Sequence, residues 1–455
     1  MWLLFFFEKQ IYTGMCRSNL IIAKYLLFTP FYFLLISCEG FLNNEINEDP
    51  NNPTEVPVTV VLPNAQVNIA DITGGEFSRF ASTITQQTQG VARSWFTFYR
   101  YSSLTPASFN TVWNNVYENV LIETKTISDI AKREGFSHFQ AVSDILTAYT
   151  LMMSTDVWDD MPYTEALNGF SNTSPDFDSQ QELYQEISNL LNNAITLLQN
   201  SDGGLPLGSV DLIYNGDVSL WTKAAYALIA RMHLHQKNYE KSLNVIQNSF
   251  TSSDDDLNLK YFDETNSAPW HRFNRDRTGD IEFNPTMRTL MESLNDTIRL
   301  DLLDRPFIAN HPYFIATYDQ ELISYRELKF IEAECLLRTN ASSQQIRNAY
   351  LEAINASFQH FGVGNYNDYI SQSIIDPGLG NITLEQIMTQ KYIGLFTHPE
   401  VYTDWRRTDI PKLLPVTGNR IPVRYPYGND ELLFNTNAPK ADEIDIFSDR
   451  VGWNR

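Results

Sequence analysis

Residues 219–249 read SLWTKAAYALIARMHLHQKNYEKSLNVIQNS, and this stretch decides the fold class. Leu220, Trp221, Ala224, Ala225, Leu228, Ile229 and Met232 recur at three- and four-residue spacing, which places them on one face of a helix. Lys237-Asn238 then makes a turn, and Tyr239, Leu243, Ile246 and Phe250 begin a second helix. A second pair runs from Glu327 to Phe358, with Ala333, Ala349 and Ala353 in comparable places. Helical patterns also cover 109–133, 138–154, 179–200 and 383–397, while strand signals are few and scattered. The spacing therefore predicts a mainly α chain.

Small Ala residues on the first helix and the Asn-Tyr-Glu-Lys turn resemble a tetratricopeptide helix pair, here divergent and interrupted. Between the two pairs, residues 251–320 are rich in Asp, Asn, Pro and aromatics and read as an irregular insertion. A segment of that length is too long for a passive connection and is expected to carry function.

Composition removes several function classes. The chain has 455 residues, with 33 Lys+Arg against 55 Asp+Glu and a net charge of -22. Charged residues at 19% are too few for a disordered polyelectrolyte, so the length implies a large buried core. So acidic a chain repels phosphate backbones, which excludes nucleic acid as a partner. The aromatics (23 Tyr, 28 Phe, 8 Trp) leave room for rings that stack on ligands.

The amino terminus reads as an address. Arg17 and Lys24 precede a short apolar run from Tyr25 to Ile36, and Leu35-Ile36-Ser37-Cys38 fits a lipobox. The expectation is a lipoprotein signal peptide over residues 1–37, with translation starting at Met15 and Cys38 as the acylated first residue. Residues 38–63 are rich in Asn, Glu and Pro and read as a flexible tether, with the folded body over 64–455. Cys335, on a helical pattern, reads as a small buried thiol.

Enzymatic signatures are sparse. His233-x-His235 sits on a helical stretch, where positions i and i+2 diverge by about 200° and cannot chelate one metal, so both read as surface or packing residues. There is no His-Glu-x-x-His, Gly-x-Ser-x-Gly, phosphate loop or Gly-x-Gly-x-x-Gly. Carboxylates abound, but any acidic chain of this size offers pairs of the kind a glycosidase uses. Asp254-Asp255-Asp256 and Asp442-Glu443-Ile444-Asp445 read as solvated loops. Structural calcium there is conceivable but not indicated, and no cofactor or metal is expected.

Several blocks in order carry a resemblance. They are Thr155-Asp156-Val157-Trp158-Asp159-Asp160-Met161-Pro162-Tyr163-Thr164-Glu165-Ala166-Leu167, then Asp211-Leu212-Ile213-Tyr214-Asn215-Gly216-Asp217 before Trp221. Next come Lys391 to Phe396, Asp404-Trp405-Arg406-Arg407-Thr408, Ile421 to Tyr427, Asn435-Thr436-Asn437 and Gly452-Trp453. Together they resemble the SusD/RagB family of nutrient-binding lipoproteins, in its shorter SusD-like subgroup, across essentially the whole mature chain. Asp159 and Asn215 stand where that family often has Gly, and both types tolerate left-handed backbone. The blocks read as architectural: Asp156 and Asp160 flank a turn, and Trp405, Arg406 and Arg407 pin a helix end.

The resemblance implies a non-enzymatic protein on the extracellular face of the outer membrane, capping a SusC-like TonB-dependent transporter and passing it oligosaccharides or, in some branches, peptides. Its helix pairs would face the transporter and its irregular segments the ligand. A surface glycoside hydrolase and a ligand-free tetratricopeptide scaffold are the readings of other classes. Sugars pack on aromatic faces while amides, carboxylates and guanidinia bond their hydroxyls. Two segments outside the helical patterns supply both, Gln89–Tyr101 and Ala268–Asp276. From them Trp95, Tyr99, Tyr101, Trp270, Arg272 and Asn274 are the candidate ligand-binding residues, with Phe96, Phe98 and Phe273 read as core. Tyr425 and Tyr427 are the alternative platform.

Overall fold

The computed structural model describes residues 56–454. The leader, Cys38 and most of the expected tether lie outside them. No helix among the described residues is long and apolar enough to cross a membrane.

The two helix pairs form where the periodicity places them, as Val218–His235 with Tyr239–Ile246 and Tyr325–Arg338 with Ser343–His360. Each long helix starts on a side-chain cap. Asp217 accepts from the Ser219 and Leu220 amides, Ser324 from that of Glu327, and Ser342 forms a reciprocal capping box with Gln345. The helices Ser137–Trp158 and Gln180–Leu198 pack beside the first pair, so the body is helix on helix. Trp221 is wholly buried there, and its indole N–H donates to Asp211 at 2.7 Å. That carboxylate also takes the Gln66 amide and the backbone N–H of Ile213 and Gly216. The Asp211–Asp217 block is thus a turn wrapped around a carboxylate, with Asn215 at φ 51° and Gly216 at φ 85°. Asp159 likewise takes a positive φ of 77°, as its residue type allows.

Three expectations are corrected here. The first helix, Val58–Ile72, begins inside the stretch read as tether and contains Pro63. Burial of Val58, Val61, Leu62, Ala65, Ile69 and Ile72 along one face outweighs the one backbone hydrogen bond that the proline removes. The insertion 251–320 is also more regular than its composition suggests. It holds the helices Pro269–Asp276, Pro285–Ser293 and Thr297–Leu303. Two antiparallel strand pairs hold it: Ile281–Phe283 on Thr88–Gly90, with Gly90 opposite Ile281, and Leu257–Leu259 on Gln320–Ile323. Asp255 and Asp256 are buried rather than solvated. The first accepts from Lys223 and Thr251, the second from the Tyr325 amide. Cys335 is buried, and burial followed by the Glu334 charge pushes its thiol up to about 12, so it is inert.

His235, read as a surface or packing residue, lies at the centre of a buried ionic network. Its Nδ1 is 3.1 Å from Asp156 and its Nε2 2.7 Å from Glu400, and Asp156 also accepts from the Tyr184 hydroxyl and the Trp453 indole. Arg231, one helical turn earlier, forks onto Glu327 at 2.7 and 2.6 Å. Asp156, His235 and Glu400 are spaced as metal ligands would be. With both ring nitrogens engaged by carboxylates, however, the imidazole has no free lone pair to give. Burial alone would lower the His235 pKa, but Glu400 and Asp156 outweigh it and raise it to about 9. Burial opposes the ionised carboxylates too, yet His235 holds both below their usual range.

A raised imidazolium pKa stabilises the fold fully below the unfolded value of about 6.5 and ceases to do so as pH rises through about 9. The two depressed carboxylates act in the opposite sense, contributing above about pH 4 and failing on acidification. The shift amounts to about 3 kcal/mol. We therefore expect His235→Gln to lower unfolding free energy by about 3 to 5 kcal/mol at pH 7. The gap to wild type should narrow between pH 7 and 10, as denaturant titrations across that range will read. A gap independent of pH contradicts a charged His235.

Candidate functional site

The helix Val58–Ile72 does not run straight into Ser78–Ile84. Thr73–Phe77 forms a wide π-type turn in which Gly75 leaves helical geometry, at φ -89° and ψ -110°. Gly74 leaves room there for the Gln320 side chain, whose Oε1 would lie 1.8 Å from a Cβ at that position. The kink turns Glu76 and Arg79 toward the helix Pro269–Asp276, which starts on a proline at its first position and presents Arg272, Phe273 and Asp276. Between these walls, with Thr111, Asn115 and Asn119 along a third side, opens a cleft of about 500 Å³. It therefore lies on the seam between the first helix and the insertion.

Its electrostatics are uneven. Arg272 pairs with Asp71 at 2.8 Å, and Asp71 also accepts from the Tyr261 hydroxyl, so that carboxylate is doubly held. Asp276 pairs with Arg275 outside the cleft, and Arg277 with the buried Asp280 at 2.7 Å. Arg79 differs. Its guanidinium lies 4.7 Å from the centroid of the Phe273 ring, and its Nε is sealed from solvent without an acceptor. No carboxylate among the described residues stands within ion-pair distance of it. Burial lowers its pKa to about 10, against the partly compensating charge of Glu76, whose own pKa burial raises.

Of the six residues proposed from sequence, only Arg272 lines this cleft. The reading of Trp95 and Trp270 as open faces is corrected. Trp270 is 4% exposed, stacked on Phe314 at 4.8 Å and 16°, with its indole N–H donating to Ser78 Oγ at 2.7 Å. Trp95 is 9% exposed and packed among Phe80, Phe98 and Phe273. Tyr101 and Asn274 are likewise buried, the latter with its Nδ2 unpartnered. Tyr99 is half-buried and accepts from Asn284 at 2.9 Å. Tyr425 and Tyr427, the alternative platform, are buried as well. For the two indoles the cause is local helix: Arg93–Tyr99 and Pro269–Asp276 are amphipathic helices whose indoles face the core. Among the phenylalanines Phe98 is core, but Phe96 is exposed beneath the Arg100 guanidinium at 3.8 Å, and Phe273 is half-buried at the cleft wall.

Sequence reading missed Arg79, Asp71 and Glu76. The available signal was Gly74-Gly75 inside an apolar-periodic run, which marks a break in a helix and a close backbone approach. The blocks read as architectural are so placed. Asp160 takes the Gln180 amide at 2.8 Å, and Arg406 donates to the Asp156 carbonyl at 2.6 Å. Arg407 bridges Glu334 and Asp404.

Comparison with known proteins agrees with this architecture. A model of the SusD-like family, described as starch-binding and associating with the outer membrane, matches residues 50–306 and 304–428. Among solved structures, a SusD/RagB family protein from Bacteroides thetaiotaomicron superposes with a TM-score of 0.71 at 23% identity, covering 88% of this chain and 99% of that one. A chitin-binding protein gives 0.72 at 22%, covering 88% and 100%. A SusD homologue from Bacteroides uniformis gives 0.71 at 18%, covering 88% and 99%. No curated protein sequence matches significantly. With the family pattern spread over most of its length and the helix-pair fold in place, the chain belongs to the SusD-like family of starch-binding, outer-membrane-associated proteins.

Proposed function

We propose that the protein is a lipid-anchored glycan receptor on the outer face of the outer membrane. In this reading it captures an oligosaccharide in the cleft between Arg79 and Arg272 and passes it to a SusC-like TonB-dependent transporter. The observation that carries the reading is the composition of the cleft wall. The half-buried Phe273, with Arg79 stacked over it, stands beside carboxylate and amide groups, so the cleft wall combines a guanidinium–ring platform with the hydroxyl partners that a pyranose needs. Family membership supports binding rather than catalysis. Asp71 is already committed to Arg272 and Tyr261, which leaves it poorly placed as a glycosidase nucleophile.

Calorimetric titration of the purified body with a panel of neutral and acidic oligosaccharides tests this, with product analysis of the same mixtures. Saturable binding without cleavage is expected. Cleavage identifies a hydrolase, binding of peptides alone identifies a peptide receptor, and no binding at all leaves a scaffold.

Two substitutions separate cleft from core. Phe273→Ala should weaken the bound glycan by about 0.5 to 1.5 kcal/mol, a few-fold to about tenfold in Kd. Trp270→Ala should instead destabilise the ligand-free protein by about 3 to 5 kcal/mol, seen as a large drop in Tm. An unchanged Tm for Trp270→Ala would return that ring to the binding surface.

For the anchor, Cys38→Ala should move folded protein to the soluble fraction in cells that lack the transporter, because the acyl chains supply the membrane affinity. Retention in the membrane fraction there argues against lipidation at Cys38.

A further inference from the structure

We propose that the cleft recognises an oxyanion carried on the sugar, a uronate carboxylate or a sulfate ester, through Arg79; the inference deepens the glycan-receptor reading and rests on it. Three observations converge. Arg79 is the cleft guanidinium that has no carboxylate partner, whereas Arg272 and Arg277 are paired with Asp71 and Asp280. One face of Arg79 is covered by Phe273, and its Nε is dry and without an acceptor. A planar guanidinium held by a ring on one face recognises its partner edge-on, and its in-plane N–H donors match two oxygens of one anion. The sealed Nε is out of a ligand's reach, so pairing falls to the terminal Nη donors that Arg79 brings to the cleft, where a partly desolvated pair gains more than a fully exposed one would.

Charge around the cleft is balanced in number, three arginines against three carboxylates, but unevenly paired. Asp280 is shared by Arg277 and Arg93, so it does not neutralise both. Asp276 and Asp71 are each held by an arginine. Glu76 and the exposed Asp276 oppose the incoming anion, Glu76 the less so because burial raises its pKa against the pull of Arg79. A neutral hydroxyl would engage Arg79 with a single weaker bond, so the arrangement discriminates by charge.

The test compares oligogalacturonate, its carboxyl-reduced neutral counterpart and a sulfated oligosaccharide by calorimetry, on wild type, Arg79→Met and Arg79→Lys. Met keeps the apolar stem over Phe273 and removes the donors. The expected result is a preference of about tenfold or more for an acidic over the neutral ligand, lost in Arg79→Met and partly kept in Arg79→Lys. That preference should shrink as salt rises from 50 to 500 mM, on the order of a threefold fall in Debye length. Strongest binding of the uronate assigns a carboxylate, and strongest binding of the sulfated chain assigns a sulfate. Neutral and acidic chains bound equally by wild type overturn the inference and leave the glycan reading intact. Absence of binding for all three, together with the wider neutral panel, removes both. Where Arg79→Met does not fold, Arg79→Lys carries the assignment to Arg79, and a preference that it leaves undiminished overturns it.

Discussion

Arg231 and His235 sit one turn apart on a single buried helix and between them engage carboxylates from three other helices: Glu327, Asp156 and Glu400. These charges are nearly withdrawn from water, so each is tolerable only while its partners are in place. The consequence is a constraint on geometry more than a gain in free energy. Similar apolar packing would hold the helices as firmly, but it would permit sliding by a turn. The bidentate fork of Arg231 on Glu327, and an imidazole gripped at both nitrogens, permit only one register. Lys391, Asp404, Arg407 and Glu334 extend the same device along the helices Leu384–Gly394 and Glu400–Thr408, and Trp453 closes it from the carboxyl end. The family-like blocks at 155–167 and 404–408 are accordingly the parts of the chain that meet at this network.

With the helix pairs held in one register, the insertion has a fixed frame to attach to. Its two attachment points differ in kind. Leu257–Leu259 pairs with a strand that leads directly into the second helix pair, and Ile281–Phe283 pairs with Thr88–Gly90 from the amino-terminal part of the body. The helix Pro269–Asp276 lies between these two staples and forms one wall of the cleft, while the kinked Thr73–Phe77 turn leads into the other. Trp270 anchors the insertion side of this arrangement. Its stack on Phe314 and its hydrogen bond to Ser78 tie the insertion helix to the residue next to Arg79. The indole sets the spacing of the cleft walls without touching what enters between them.

The part of the structure that was legible in sequence is the part governed by local periodicity. Leu220 to Met232 and Glu327 to Phe358 announce helices because their faces repeat within a few residues, and Asp159 and Asn215 announce positive φ by residue type alone. The first helix was obscured by Pro63 and its Asn- and Pro-rich approach, although Val58, Val61, Leu62 and Ala65 carry the spacing. What local reading could not supply is burial decided by distant partners. Trp270 looks like a surface ring until Phe314 and Ser78 are brought to it, and His235 like a surface histidine until Asp156 and Glu400 are. Arg79 was invisible for the converse reason: its significance lies in the absence of a partner, which no sequence displays.

The acidity of the whole chain and the unpaired guanidinium of Arg79 are compatible because they act over different distances. Exposed charges more than about 8 Å apart are largely screened at physiological ionic strength, so the net charge of -22 is felt weakly by a ligand already at the cleft mouth. Inside, the low-dielectric wall formed by Phe273, Ile72 and Pro269 leaves the nearest guanidinium unscreened. Long-range repulsion slows the approach of polyanions in general, whereas the short-range pair rewards an anion set on a ligand whose other groups already fit. An acidic surface around one unpaired guanidinium therefore improves selectivity, because charge alone does not bring a ligand in and shape alone does not satisfy Arg79.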